Sequence, residues 1–101
     1  MDLPTDKRLI RLAEGDDVLV VIERLRAGER YLVAGVENQA ARDLGLGHKV
    51  AARAIAAGER VLKYGAPIGR ASLPIAVGEH VHVHNLVSDY TPTYTLPEQA
   101  A

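Results

Sequence analysis

The chain has 101 residues, a formal net charge of −1, and no cysteine, phenylalanine or tryptophan. This length accommodates one small domain, whose core must be built from Val, Leu, Ile, Ala and the four tyrosines. The near-neutral charge excludes a basic surface for nucleic acid, the apolar runs are too short to span a membrane, and the lack of cysteine excludes disulfides and thiolate chemistry. We therefore expect a cytoplasmic protein that binds neither nucleic acid nor membrane.

Taken in chain order, the apolar patterns predict six short β strands, at about residues 7–12, 18–24, 30–34, 48–54, 60–64 and 80–86. Residues 18–25 also fit an amphipathic helix capped by one of the preceding aspartates, but their β-branched run favours a strand. The connection 35–47 is the longest and can hold one helical turn. We expect one domain over residues 1–90 and an extended tail over 91–101. Short strands and frequent glycine turns predict a small all-β fold.

One turn motif recurs three times along the chain. It reads LRAGERY at 25–31, IAAGERV at 55–61 and IAVGEHV at 75–81. In each copy an apolar residue anchors the turn in the core, glycine permits a tight reversal, and a polar pair leads into the next strand. The first two copies match over longer segments, 20–32 and 50–62. We interpret the motif as an internal repeat of strand and turn.

Three of the four histidines stand at alternate positions in GEHVHVHNL, residues 78–86. On the predicted strand this alternation puts His80, His82 and His84 on one face and the two valines between them in the core. Positions i and i+4 of a strand are about 13 Å apart, too far for three imidazoles to share one metal ion, so only His82 and His84 form a plausible pair. A cupin metal site is rejected, since the glutamate and glycine that it requires after the second histidine are absent. A polar strand face without any ligand is the competing interpretation.

Further polar side chains stand where other predicted strands begin or end: His48, Lys49, Lys63, Tyr64 and Asn85. Imidazole, ammonium, phenol and amide groups together suit an anionic, polyhydroxylated ligand. Lysines at strand ends are also commonly solvated without a ligand. The glycines and proline of YGAPIGRA predict a turn rather than a phosphate-binding loop, because no helix start follows them.

The segments GHKVAARAIAAGERVLKYGAPIGRA (47–71) and GEHVHVHNL (78–86) closely resemble the small N-terminal domain of the altronate/galactarate dehydratase family. The resemblance covers residues 9–90 and implies a SAF domain, an antifreeze-like β-clip fold. It also implies part of a lyase that removes water or sulfite from a 2-hydroxy acid, with an associated iron, manganese or magnesium ion. Similar small subunits, as in sulfolactate sulfo-lyase, work beside a much larger catalytic subunit.

On this resemblance we expect the chain to form one wall of a pocket shared with a large catalytic subunit, which would hold most of the metal ligands. The predicted acid/base residues are His48 and His82, and the predicted metal pair is His82 and His84. The predicted substrate-binding residues are Lys49, Lys63, Tyr64 and Asn85. A non-catalytic SAF module for sugar acids or for assembly, and a stand-alone metalloenzyme, are the competing hypotheses. A homo-oligomer is left open.

Overall fold

The computed structural model describes residues 3–88, which form nine short β strands and, within that range, no helix. The strands are β1 (Leu9–Ile10), β2 (Val18–Val21), β3 (Arg30–Val33), β4 (Val36–Gln39), β5 (Lys49–Ala51), β6 (Arg60–Lys63), β7 (Ala66–Ala71), β8 (His80–Val81) and β9 (Leu86–Val87). The predicted small all-β fold is confirmed. The predicted tail 91–101 lies outside the described residues, and nothing in residues 3–88 is a helix able to cross a membrane.

The described residues form three antiparallel sheets. The central sheet has the order β1-β2-β5-β8, β3 pairs with β4, and the third sheet has the order β6-β7-β9. Successive side chains of β2 and β5 point into two separate hydrophobic clusters, because neighbours on a strand face opposite sides. Leu19 and Val50 pack in one cluster, whereas Val18 and Ala51 pack in the other. Burial on both faces explains the continuous apolar run at 18–21, where the strand prediction is confirmed and the helix alternative is wrong.

The repeated turn occurs four times rather than three. The additional copy reads LGLGHKV and spans residues 44–50. Backbone groups of Leu25 and Leu44 exchange two hydrogen bonds, and those of Ile55 and Ile75 do the same, so the four turns associate in two pairs. The glycine of each turn has a positive φ of 83° to 88°, a conformation that glycine adopts without strain. The fourth copy escapes sequence comparison because histidine replaces the glutamate of the other three.

Two segments differ from the predictions. The connection 35–47 contains no helical turn, because residues 36–39 form β4 and pair with β3. The strand predicted over 80–86 is also wrong: β8 ends at Val81, the chain turns over residues 82–85, and β9 joins the third sheet. The physical reason is local, since the Asn85 side chain bonds to the backbone of the preceding residues and competes with strand pairing.

Candidate functional site

All four histidines of the chain lie together at one edge of the central sheet. His48 directly precedes β5 and His80 opens β8, and these two strands pair so that Val50 lies opposite His80. His82 and His84 belong to the turn that follows β8. Strand pairing therefore brings His48 to three residues that are more than 30 positions away in the chain.

The imidazole rings of these four residues, called here the histidine cluster, are in direct contact. Nδ1 of His48 lies 3.1 Å from Nε2 of His80, a hydrogen bond in which one nitrogen donates and the other accepts. The rings of His80 and His82 are nearly parallel, at 13°, with centroids 5.5 Å apart. The centroids of His48 and His82 are 5.9 Å apart, and those of His80 and His84 are 5.7 Å apart. His80 is thus the centre of the cluster.

Asn85 holds the turn that carries His82 and His84. Its side chain is 1% exposed; Oδ1 accepts a hydrogen bond from the His82 backbone N–H, and Nδ2 donates one to the His80 carbonyl, each at 2.9 Å. A substrate contact by Asn85 stays a prediction, and the bonds that the structure shows are internal. The predicted alternation of faces is wrong, because Val83 is 80% exposed at the tip of the turn instead of lying in the core.

His48 stands where the other three turns carry Glu29, Glu59 and Glu79. Each of these glutamates accepts a hydrogen bond from the backbone N–H three residues before it, at 2.7 to 2.9 Å. The equivalent N–H in the fourth turn belongs to Gly45, which has no hydrogen-bond acceptor within the described part of the chain. The backbone of that turn is otherwise the same, because the His48 N–H donates to the Gly45 carbonyl as in the other copies. The fourth turn therefore lacks a stabilising cap and presents an imidazole to the cluster, which is typical of a functional site.

Burial alters the titration of the central histidine. Burial first, and then the positive charges of its three histidine neighbours and of Arg42, lower the pKa of His80 from 6.5 to about 4. His80 is therefore neutral near pH 7 and is able to accept or donate one hydrogen bond at Nε2, according to its tautomer.

We expect the stability of the chain to fall as the pH drops from about 6.5 towards 4. In this window the unfolded chain protonates residue 80 while the folded chain keeps it neutral, so the free energy of unfolding is complete above pH 6.5 and decreases below it. The lowered pKa corresponds to about 3 kcal/mol at most. Urea unfolding between about pH 7 and pH 4 measures the loss, which should be smaller in His80→Gln than in the wild type. Equal losses in both proteins would contradict the assignment.

Two hollows open beside the histidine cluster. The larger, called here the main cleft, has a volume of about 640 Å³, within the range of small-molecule sites. Its polar lining comes from Tyr31, Asn38, Gln39, Arg42, Glu79, His80, His82 and His84. The smaller hollow, of about 250 Å³, is lined by Leu46, Gly47, His48, Lys49, Val81 and His82. His82 lines both, so the two hollows meet at the cluster.

Of the predicted substrate-binding residues, the structure brings Lys49 to the cluster. Lys49 lines the smaller hollow beside His48 and His82. Its pKa is lowered by burial and then by the charge of Lys63. Lys63 ends β6, and Tyr64 follows in the β6–β7 turn with 74% of its surface exposed; neither lines the two hollows. Their contact with substrate stays a prediction.

The sequence predictions missed the roles of two residues, one in the main cleft and one at the β6–β7 turn. Arg42 was not singled out, because nothing in its spacing indicates that it lines the main cleft. Asp16 was considered only as a helix cap, whereas its carboxylate accepts hydrogen bonds from the backbone N–H groups of Tyr64 and Gly65 and so fixes the β6–β7 turn. An aspartate before a strand was the one available signal, and it fits many other roles.

The histidine cluster has the chemistry of a metal site but not the complete geometry. Imidazole nitrogen binds iron, manganese and zinc readily. Among residues 3–88, however, no three His, Asp or Glu side chains are arranged around one point to hold an ion. The predicted pair, His82 and His84, stays a prediction in which the remaining ligands come from another polypeptide.

Fold and site together define a small all-β domain with an open, histidine-lined site at the edge of its central sheet. The chain belongs to the altronate/galactarate dehydratase SAF domain family, whose model matches residues 7–89. The family resemblance read from the sequence is thereby confirmed.

Three relatives show how this domain is used elsewhere. The chain is 38% identical over 96 residues to an altronate dehydratase of Bacillus subtilis, covering 87% of this chain and 19% of that protein. It is 40% identical over 101 residues to an altronate dehydratase of Escherichia coli, covering 91% and 20%. It is also 40% identical over 82 residues to (2R)-sulfolactate sulfo-lyase subunit alpha of Chromohalobacter salexigens, covering 72% and 86%. The chain thus spans about one fifth of the altronate dehydratases and most of the sulfo-lyase subunit.

Proposed function

We propose that this chain forms one wall of the active site of a hydroxy-acid lyase and that a large catalytic subunit completes the site. The observation that carries the proposal is the gathering of all four histidines around two open hollows. The relatives support it, because two are dehydratases several times longer than the matched region and a third is called subunit alpha, which implies another subunit.

The reaction we propose is an elimination. A base removes a poorly acidic proton beside the substrate carboxylate, the electron pair of that C–H bond forms the new C=C bond, and a hydroxyl or sulfite group leaves. A proton given to a departing hydroxyl makes it water. The shared site must therefore offer one group that takes a proton and, for a departing hydroxyl, another that gives one.

We assign the base to His48 and the acid to His82. When Nδ1–H of His48 donates to Nε2 of His80, Nε2 of His48 is left with a free lone pair that can take the substrate proton. The resulting imidazolium keeps the same hydrogen bond, since neutral His80 still accepts it. His80 is thus a positioning residue for His48, in the role that a carboxylate or carbonyl plays for other catalytic histidines.

The remaining contacts follow from the hollows. Lys49 lies beside His48 and His82 and is proposed to contact the substrate there, with Lys63 adding positive charge that attracts an anionic substrate to the site. Asn85 holds the histidine turn, and Tyr64 is proposed to contact the substrate from the β6–β7 turn once the large subunit completes the pocket. A divalent iron, manganese or magnesium ion, held mainly by the large subunit with His84 as a ligand from this chain, would supply an electrophile for the carboxylate; His82 would join the ligands only in a site where another group gives the proton. We place the complex in the cytoplasm.

Reconstitution tests this function. The chain and the large dehydratase-type subunit of the same organism are produced separately and together, and are assayed with a sugar acid of the altronate type and with sulfolactate. We expect neither polypeptide alone to turn over substrate and the mixture to form a stable complex that does. A chain that binds hydroxy acids at micromolar concentration but forms no complex would contradict the proposal and favour the non-catalytic binding module.

A further inference from the structure

Arg42 is an exposed arginine and, among residues 3–88, the arginine that lines the main cleft. Arg8, Arg30 and Arg53 each form a salt bridge with an aspartate or glutamate. Arg42 lines the main cleft and, among residues 3–88, has no hydrogen-bond or salt-bridge partner. An arginine beside a cleft with no protein partner has all its guanidinium N–H groups available to a ligand.

Two acidic residues, one beside Arg42 in the chain and one in the same cleft, already have partners of their own. The carboxylate of Asp43, its neighbour in the chain, accepts a hydrogen bond from the Ala27 backbone N–H at 2.8 Å. Glu79, which lines the same cleft, accepts one from the Ala76 backbone N–H at 2.9 Å. Both carboxylates therefore accept hydrogen bonds from the backbone of turns, and neither pairs with the guanidinium of Arg42, which lines the cleft as a positive group.

The rest of the cleft suits a ligand with hydroxyl groups. Asn38 and Gln39 donate through their NH₂ groups to the carbonyls of Val36 and Gly28. Their side-chain oxygens have no donor within residues 3–88 and can accept hydrogen bonds from hydroxyls. The volume of about 640 Å³ accommodates a molecule of sugar-acid size.

We propose that Arg42 binds the anionic group of the substrate, a carboxylate or a sulfonate, in the main cleft beside His82 and His84. This inference rests on the proposed lyase function and adds the residue that anchors the substrate. A guanidinium suits either anion, because its planar N–H groups bind two oxygens at once. With the anion on Arg42, the hydroxyl-bearing carbons of the substrate extend towards the histidines on one side and the amide oxygens on the other.

Binding to the whole chain tests the anion site directly. Histidine ring signals are followed by NMR while D-gluconate, methanesulfonate or uncharged sorbitol is added. We expect gluconate, methanesulfonate or both to shift the His82 and His84 signals in a saturable way, and Arg42→Ala to weaken that binding roughly tenfold or more. Arg42→Lys should bind with intermediate affinity, and sorbitol binding should not respond to either change. The anion that binds more tightly distinguishes a carboxylate site from a sulfonate site.

Arg24→Ala is the matched control, since Arg24 is exposed and lines neither hollow. Equal weakening by Arg24→Ala and Arg42→Ala would overturn the proposal in favour of general charge attraction. The proposal would also be overturned if anion binding were unchanged in Arg42→Ala or absent from the wild type.

In the reconstituted lyase, Arg42→Ala should raise KM with little change in kcat. If KM is unchanged while His48 and His82 variants are inactive, the Arg42 site is wrong and the lyase function stands. If those histidine variants keep full activity, the lyase site is wrong, and the NMR titration alone decides whether Arg42 binds anions.

Discussion

Replacing His48 with glutamate is expected to give a more stable chain that no longer supports turnover. The substitution restores the cap of the other three turns, because a glutamate at this position can accept the unpaired backbone N–H of Gly45. One such hydrogen bond raises the free energy of unfolding by about 1 kcal/mol. Loss of the proposed base lowers kcat of the reconstituted lyase by roughly a hundredfold or more. Urea unfolding of the chain and steady-state kinetics of the complex measure the two effects.

His48→Gln is the control for charge, and Glu79→His is the control for position. Glutamine can accept the same N–H without a carboxylate, so a similar gain in stability would assign the effect to the cap. Glu79→His removes the cap of another turn and should lower stability by about 1 kcal/mol.

Two outcomes would contradict the prediction. If His48→Glu is less stable than the wild type, the contacts of the His48 side chain stabilise the fold by more than the restored hydrogen bond to the Gly45 N–H does. Activity retained by His48→Gln would remove His48 from the catalytic machinery, because glutamine cannot take the substrate proton. Such opposition between stability and activity is typical of functional residues.

Leu25→Ala is expected to destabilise the chain by about 3 kcal/mol. Leu25 is fully buried, anchors the first turn in the hydrophobic cluster, and exchanges two backbone hydrogen bonds with Leu44. Removing its side chain leaves a cavity under a pair of turns that connect the central sheet with the β3–β4 sheet. Since small domains have only about 5 to 15 kcal/mol of stability in total, the loss is a large fraction of it. Urea unfolding at neutral pH measures the change.

Leu73→Ala is the matched control, because it deletes the same atoms from a side chain that is 54% exposed. We expect its effect to stay within about 0.5 kcal/mol. If the free energy of unfolding fell by similar amounts in the two variants, the buried leucine of the turn would not stabilise the core more than an exposed leucine does. Comparing the free energies of unfolding of the two variants separates the cost of the cavity from the general cost of replacing leucine with alanine.

The repeated turn shows which structural features can be predicted from neighbouring residues alone. Three copies could be identified because apolar anchor, glycine and glutamate recur together, and each of these residues acts within its own turn. The copy at 44–50 keeps the anchor and the glycine but has His48 in place of glutamate. The turn at 44–50, which contributes the proposed base His48, was therefore assigned to a connecting segment.

The histidine run shows where local reasoning fails. Alternation along GEHVHVHNL predicted a strand with one polar face, and a period of two is the normal signature of a strand. Asn85 ends that strand early, because a side chain that bonds the backbone three and five residues before it stabilises a turn instead. Histidine and valine do alternate in the sequence, but the backbone over residues 82–85 forms a turn and not a strand.

By itself the sequence determined the fold class, three of the four repeated turns and the family, because β-branched runs, turn glycines and short motifs act over a few neighbouring residues. It also placed His48 and His82 among the candidate site residues. Only the tertiary structure decided that His80 is the half-buried centre of the cluster, that Arg42 lines the same cleft, and that Lys63 and Tyr64 lie outside it. These facts depend on the pairing of β5 with β8 and on the direction of each turn, which arise from contacts between residues far apart in the chain.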